Sequence, residues 1–227
     1  MTVEVADVEF VVRVIAQTAV DNEKYFCDLD SVVGDGDFGY SLARGFEIVL
    51  EEFDGLDRSD SGTFLQKVAM IISSRIGGTS GPIWGTAFLR AAMVAKKHES
   101  LDGDTVVEML RGSIEGIMAR GGAKVGEKTL LDALVPMTDT IAELVAQQAD
   151  AQVVIEGAAK TARTAAEATT PMQARRGRAS YTGERSIGSP DAGAVAIAVL
   201  AEHIAAQWPE RASHLSNQSK PITPSRR

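Results

Sequence analysis

"VEFVVRVIAQTAV", residues 8–20, decides the fold. Apolar side chains recur at Val8, Val11, Val12, Ile15, Ala16, Ala19 and Val20, the 3.6-residue period of a helix that buries one stripe. The spacing predicts a helix over about 7–25, with Asp7 as its N-cap. The same period marks seven more, over about 38–53, 61–76, 81–98, 104–119, 129–149, 151–169 and 191–207. Ser61 and Asp104 read as caps, Pro82 suits a first helical turn, and Pro136 should kink the sixth helix. Alternation of apolar and polar residues is rare and only 5% of residues are aromatic, so strands have little support. The expected fold is all-α.

Short connections favour antiparallel neighbours, so eight such helices form an up-down bundle with two ends. Connections 1–2, 3–4, 5–6 and 7–8 emerge together at one end. They hold Gly34, Gly36, Gly39, Gly77, Gly78, Gly81, Gly121, Gly122, Gly126, Gly177, Gly183 and Gly188, which is 12 of the 21 glycines. The opposite set holds only Gly55, Gly62 and Gly103. One end is therefore built from loops that fold tightly or approach something closely. The 171–190 connection is also long for a compact domain, as functional loops often are.

Composition narrows the function. The chain has 227 residues, 44% hydrophobic and 24% charged, and reads as an ordinary globular protein. No apolar run of 18 residues and no charged-then-apolar leader is found, so neither a membrane span nor a signal peptide is expected. Cys27 is the only cysteine, which rules out an intramolecular disulfide and points to a cytoplasmic address. A net charge of −8 argues against a nucleic-acid binder, which needs basic surface to displace counterions. After Trp208 the segment "PERASHLSNQSKPITPSRR" (209–227) is polar and proline-bearing, and is expected to be a loose tail to a domain spanning 1–208.

The four glycine-rich connections carry the candidate chemistry. "VVGDGDFG" (32–39), with Asp30 just upstream, crowds Asp30, Asp35 and Asp37 together, and three unpaired carboxylates so close repel one another. Oxygen-only ligands suit Mg²⁺, which also takes phosphate oxygens. An EF-hand is excluded because Val32 falls on the next ligand position after Asp28 and Asp30. Without a metal, Asp37 could simply cap a helix while Asp30 and Asp35 are solvated. "IGGTSGP" (76–82) leads into a helix, where backbone N–H groups, the Thr79 and Ser80 hydroxyls and the helix dipole can cradle phosphate; a plain tight turn is the simpler alternative. "RGGAKVGEKTLLDAL" (120–134) adds Lys124 and Lys128, able to meet phosphate or to be solvated, and Leu130 and Leu131, able to face a nucleobase or to pack in the core. The last loop gathers Arg175, Arg176, Arg178 and Arg185, whose guanidinium groups bind phosphate bidentately. Asp191 follows, either capping the eighth helix or reaching into the site. His98, His203 and His214 lie toward the opposite end or the tail, so no histidine-based nucleophile system is expected. The constellation suggests metal–nucleotide binding and phosphoryl transfer that rests on positioning and charge neutralisation.

The segments "LDSVVGDGDFG", "GGTSGPIWGTAFLRAA", "GEKTLLDALVP" and "TPMQARRGRASYTGERSIG", followed by "DAGA", resemble the nucleotide-binding L subunit of dihydroxyacetone kinase over about residues 6–206. The resemblance implies an eight-helix antiparallel up-down barrel that holds ADP or ATP at one end through two Mg²⁺ ions. It makes Asp30, Asp35 and Asp37 the metal ligands, with Arg178 beside them in the catalytic set. It places Phe38, Gly39, Tyr40, Ser41, Thr79, Ser80, Gly121, Leu130, Arg178, Pro190, Asp191 and Ala192 around the nucleotide. It also implies a separate K-type subunit that binds the ketose, dihydroxyacetone or a relative such as erythrulose, and in some systems a phosphotransfer protein as donor. The phosphoenolpyruvate-linked members usually carry His after the second Asp of the motif, where this chain has Phe38; Tyr40 is also bulkier than usual. A different expectation from the same residues is a nucleotide-loaded module that controls a transcription regulator without catalysis.

Overall fold

The computed structural model describes residues 2–211. Among them are nine α-helices: α1 (Val5–Asp21), α2 (Glu23–Asp30), α3 (Phe38–Glu52), α4 (Ser61–Arg75), α5 (Ser80–Ala95), α6 (Gly103–Gly121), α7 (Leu131–Ala146), α8 (Ala151–Ala168) and α9 (Ala192–Gln207). Eight are the expected ones. The ninth arises because the first expected helix stops early. Both the backbone N–H and the side-chain amide of Asn22 donate to the Thr18 carbonyl, at 3.1 and 2.9 Å. An amide that competes for the backbone in this way ends a helix, and the chain restarts at Glu23 as the short α2. Periodicity hid the break because Phe26 continues the apolar stripe and is fully buried.

Three of the caps differ from expectation, while α3, α4 and α8 begin where the period placed them. Asp60 and Asp102, not Ser61 and Asp104, are the caps: each has an extended backbone and accepts the N–H three residues on, from Thr63 at 2.7 Å and Thr105 at 2.9 Å. In α1 the cap is Glu4, and Asp7 instead closes a capping box by accepting the Glu4 N–H at 3.0 Å. α7 runs unbroken past Pro136. A two-residue antiparallel pairing, β1 (Thr2–Val3) with β2 (Leu101–Asp102), ties the N-terminal segment beside α6; two residues are too few to leave a pattern in sequence.

The long helices pack in chain order, α3 on α4, α4 on α5, α5 on α6, α6 on α7, α7 on α8 and α8 on α9, while α1 packs on both α3 and α9. The ring is thus closed, with α2 added against α3. Its wall is held by apolar burial. Phe46, Phe53 and Phe64 are essentially inaccessible to solvent, each contributing roughly 1.5–3 kcal/mol relative to exposure. Phe53 and Phe64 meet edge to face at 5.5 Å between centroids. Inside the ring lies a cavity of about 330 Å³ walled almost entirely by apolar side chains from seven helices. No described helix is long and apolar enough to cross a membrane. Of the expected tail, residues 209–211 are described: Trp208–Glu210 form a single 3₁₀ turn and Arg211 pairs with Asp7 at 3.2 Å. Residues 212–227, including His214, lie outside the described residues.

Candidate functional site

In an up-down ring, alternate helices begin at the same end. α3, α5, α7 and α9 all start at the glycine-rich end, so four N-termini with their partial positive charge converge there. All glycines with positive φ among the described residues belong to the connections of this end. Gly122 ends α6 in the left-handed region at φ 61°, which a side chain rarely adopts. Gly39 is required for a different reason. A Cβ there would stand 2.0 Å from the Glu23 carbonyl oxygen, so α3 and α2 can approach this closely only at glycine.

A cavity of about 560 Å³ opens between the four connections. Asp30, Asp35 and Asp37 stand on one side, each able to place a carboxylate oxygen so that all three lie within 4.8 Å of one another. The turn is shaped by Asp30 itself, whose carboxylate accepts the N–H groups of Gly36 at 2.9 Å and Phe38 at 3.4 Å. Asp37 is pushed up from the ordinary carboxylate range, first by loss of solvent and then by the Asp35 charge, against the opposing pull of Arg178. Arg178 crosses from the arginine loop to pair with Asp35 and reaches 3.9 Å from Asp37. Three clustered oxygen donors whose repulsion Arg178 offsets only in part fit a hard divalent cation.

Across the cavity, α5 begins with Thr79 in the cap position and no side-chain oxygen accepting its first N–H groups. That leaves a helix N-terminus facing the cavity, flanked by Thr79 and Ser80. Ile83, Trp84, Ile117 and Leu130 supply an apolar wall of the kind a planar ring could rest on. Phe38 forms part of the rim and packs on Phe26 at 6.0 Å between ring centroids.

Most expected site residues meet in this cavity: Asp30, Asp35, Asp37, Phe38, Thr79, Ser80, Gly121, Leu130, Arg178, Asp191 and Ala192 all line it. Gly39, Tyr40, Ser41 and Pro190 do not. Gly39 is buried against α2. Tyr40 is 55% exposed, its N–H donates to Cys27 Sγ at 3.2 Å, and Arg44 covers its ring. Ser41 Oγ lies 4.0 Å from where a Cβ on Gly77 would stand. Of the four loop arginines, Arg176 and Arg178 line the cavity and Arg175 and Arg185 do not. Arg176 is committed to a bidentate pair with Glu127 at 2.7 and 3.1 Å. Lys128 is neither solvated nor free for phosphate: it is 2% exposed and its ammonium is spent on three carbonyls. Arg120, Ile83, Trp84 and Ile117 were not among the expected residues. Each lies within four residues, about one turn, of an expected one, Thr79, Ser80 or Gly121, and helix phase alone would have found them.

Asp191 caps α9 by accepting the Ala194 N–H at 2.7 Å. Its carboxyl is enclosed although part of the residue borders the cavity. Burial raises it to about 7, with Asp132 adding to the rise and Lys128 and the helix N–H groups opposing it. The folded protein therefore holds a proton here that the unfolded chain releases above the ordinary value of 3.8. The stabilising contribution is full below about pH 4 and is lost as pH rises through about 7. Ligand-free protein should lose stability between those limits. Asp191→Asn, which still caps a helix, should flatten that part of the curve; a variant whose melting temperature tracks the wild type across the range would contradict the assignment.

A family model of the DAK2 domain matches residues 32–206. Over 182 residues the chain is 38% identical to the ADP-binding subunit DhaL of the PEP-dependent dihydroxyacetone kinase of Escherichia coli, covering 80% of this chain and 87% of that subunit. It is 36% identical over 192 residues to L-erythrulose 1-kinase of Mycolicibacterium smegmatis, covering 84% of this chain but 33% of that enzyme. The crystal structure of the dihydroxyacetone kinase of C. freundii in its native form matches with a TM-score of 0.71 at 25% identity, over 88% of this chain and 34% of that one. With the motifs on the four connections, the family model and the E. coli subunit agreeing along most of its length, the chain belongs to the DAK2 domain family.

Proposed function

We propose that this chain is the nucleotide-binding subunit of a ketose kinase, which transfers a phosphoryl group from a bound adenine nucleotide to dihydroxyacetone, or a close ketose such as erythrulose, presented by a separate K-type subunit. The observation that carries this reading is the convergence, in one cavity, of three carboxylates, Arg178, an uncapped helix N-terminus and an apolar wall. Asp30, Asp35 and Asp37 would hold two magnesium ions, which supply charge neutralisation of the phosphate oxygens. Ser80 and the start of α5 bind phosphate, the Ile83–Trp84–Leu130 wall takes the base, and Arg178 brings positive charge to the transferring group. The protein's part is to position and to exclude water; no group in the cavity is arranged as a nucleophile–base pair. The kinase names of the E. coli and M. smegmatis relatives agree with this, and the cluster of three carboxylates has no evident use in a module that only docks on a transcription regulator.

Our reading of the donor rests on Phe38. A phenyl ring cannot donate a hydrogen bond, and here it is packed on Phe26. Losing one charge-assisted bond to the nucleotide, worth about 1.5–3 kcal/mol, loosens it roughly 10- to 150-fold. We therefore expect exchangeable nucleotide and ATP from solution as donor. A phosphoenolpyruvate-linked phosphoprotein is the second reading, favoured by the 38% identity to the E. coli subunit. The test is purification without added nucleotide, mass analysis of the native protein, and turnover with a K-type subunit. Nucleotide-free protein that turns over with ATP is the expected result; retained ADP, with turnover only after a phosphotransfer protein is added, overturns it.

A further inference from the structure

The 170–191 connection carries Arg178 but has little core of its own, so something must hold its shape. Lys128 does this from the neighbouring 122–130 connection. Its backbone is left-handed at φ 61°, a conformation uncommon for any residue but glycine and usually retained only where the surroundings require it. The ammonium donates to the carbonyls of Met172 at 3.0 Å, Ser189 at 2.7 Å and Ser186. An ammonium has three donors and no acceptor, and all three are used. Met172 lies at the entry of the loop and Ser186 and Ser189 at its exit, so one cation ties both ends together around Arg178. Ser186 completes the knot: it is fully buried, and its hydroxyl accepts the Ala174 N–H at 2.9 Å and donates to the Gly183 carbonyl at 2.6 Å. Burying the Lys128 ammonium is costly unless its charge is satisfied; loss of solvent pushes the amine down, and Asp191 beside it pulls the other way.

We propose that Lys128 is a positioning residue, whose ammonium closes the arginine loop and thereby sets Arg178 against Asp35 and Asp37. The part concerning Arg178 and nucleotide rests on the reading under Proposed function; the part concerning loop closure does not. A hydrophobic isostere, Lys128→Met, keeps the stem and leaves three carbonyls without their donor, so the loop opens while the helical ring stays. Lys124→Met, at an exposed neighbour, is the control.

Three measurements test this. Limited trypsinolysis should cut Lys128→Met within the loop, at Arg175, Arg176, Arg178 or Arg185, about tenfold faster than wild type or Lys124→Met, as expected if a low-stability segment opens locally. Mg–ADP affinity should fall about tenfold in Lys128→Met but less than about twofold when the same change is made in an Arg178→Ala background, the non-additivity of residues acting through one another. Wild-type nitrogen-15 NMR should show one lysine ammonium in slow exchange with solvent and coupled to backbone carbonyls, a readout that holds even if the variant does not fold. Native-like Lys128→Met with unchanged loop cleavage, equal affinity losses in the two backgrounds, or only rapidly exchanging ammonium signals would overturn the proposal. If the wild type bound no nucleotide, the affinity arm would fail with the functional reading, and cleavage and NMR would still decide loop closure.

Discussion

Asp35→Asn or Asp37→Asn is expected to reduce Mg–ADP affinity by at least about 100-fold while leaving the helices intact. A carboxylate next to a divalent ion is a close charge pair, and for unit charges about 4 Å apart at an effective dielectric near 20 the interaction is about 4 kcal/mol. Losing even about 2.7 kcal/mol of that is a hundredfold in the dissociation constant. The fold has no stake in these charges. Asp35 and Asp37 are substantially exposed, and loss of solvent, followed by the Asp35 charge, already raises Asp37, so the ligand-free variants should melt at or slightly above the wild type. The ligand effect is where they should fail. Nucleotide at 100 times its dissociation constant adds about 2.7 kcal/mol to the wild type; that gain should vanish on chelation with EDTA and be absent from both variants at the same concentrations. Calorimetry giving unchanged Mg–ADP affinity in either variant would remove the metal assignment.

Arg178→Ala should lower the rate of phosphoryl transfer by about 10²–10³-fold, the usual cost of removing one preorganised group that meets charge developing in a transition state. Its guanidinium already faces the carboxylates across the cavity, with 63% of the side chain exposed, so it is free to turn toward a phosphate. Arg178→Lys should not restore the rate, because an ammonium cannot reproduce a planar two-pronged contact. Stability should hardly change, since ion pairs this exposed contribute about 0–1 kcal/mol. Single-turnover kinetics with a K-type subunit would check the split: a kcat within about threefold of wild type, with only nucleotide KM raised, would make Arg178 a ground-state binder.

How much was legible beforehand differs by element. The eight long helices were readable because amphipathic periodicity is written within each segment, and the ring buries those stripes as expected. The boundary errors share one cause. Asp60 and Asp102 outcompeted Ser61 and Asp104 as caps because their backbones are extended, and cap geometry depends on dihedrals that composition does not reveal. Asn22 ended α1 inside an unbroken apolar stripe for a similar reason, since only the folded turn shows its amide bonding to Thr18. Within the site, Asp30, Asp35, Asp37, Thr79, Ser80 and Arg178 were legible as types of residue in glycine-rich surroundings.

The sequence by itself determined an all-α chain with alternating connections and a single end rich in glycine, acids and arginines. Those properties are local: helix period, loop parity and residue type need no knowledge of distant partners. Only the tertiary structure decided which of those residues face one cavity. It turned Tyr40 toward Arg44 and Cys27, buried Gly39 against α2, and brought in Arg120 and Trp84. It also took Lys128, which by type reads as a solvated loop lysine, and satisfied its charge on a carbonyl 58 residues away. The physical reason is that a buried ammonium is stable only where several acceptors converge, and convergence across that separation is a property of the closed ring rather than of any segment.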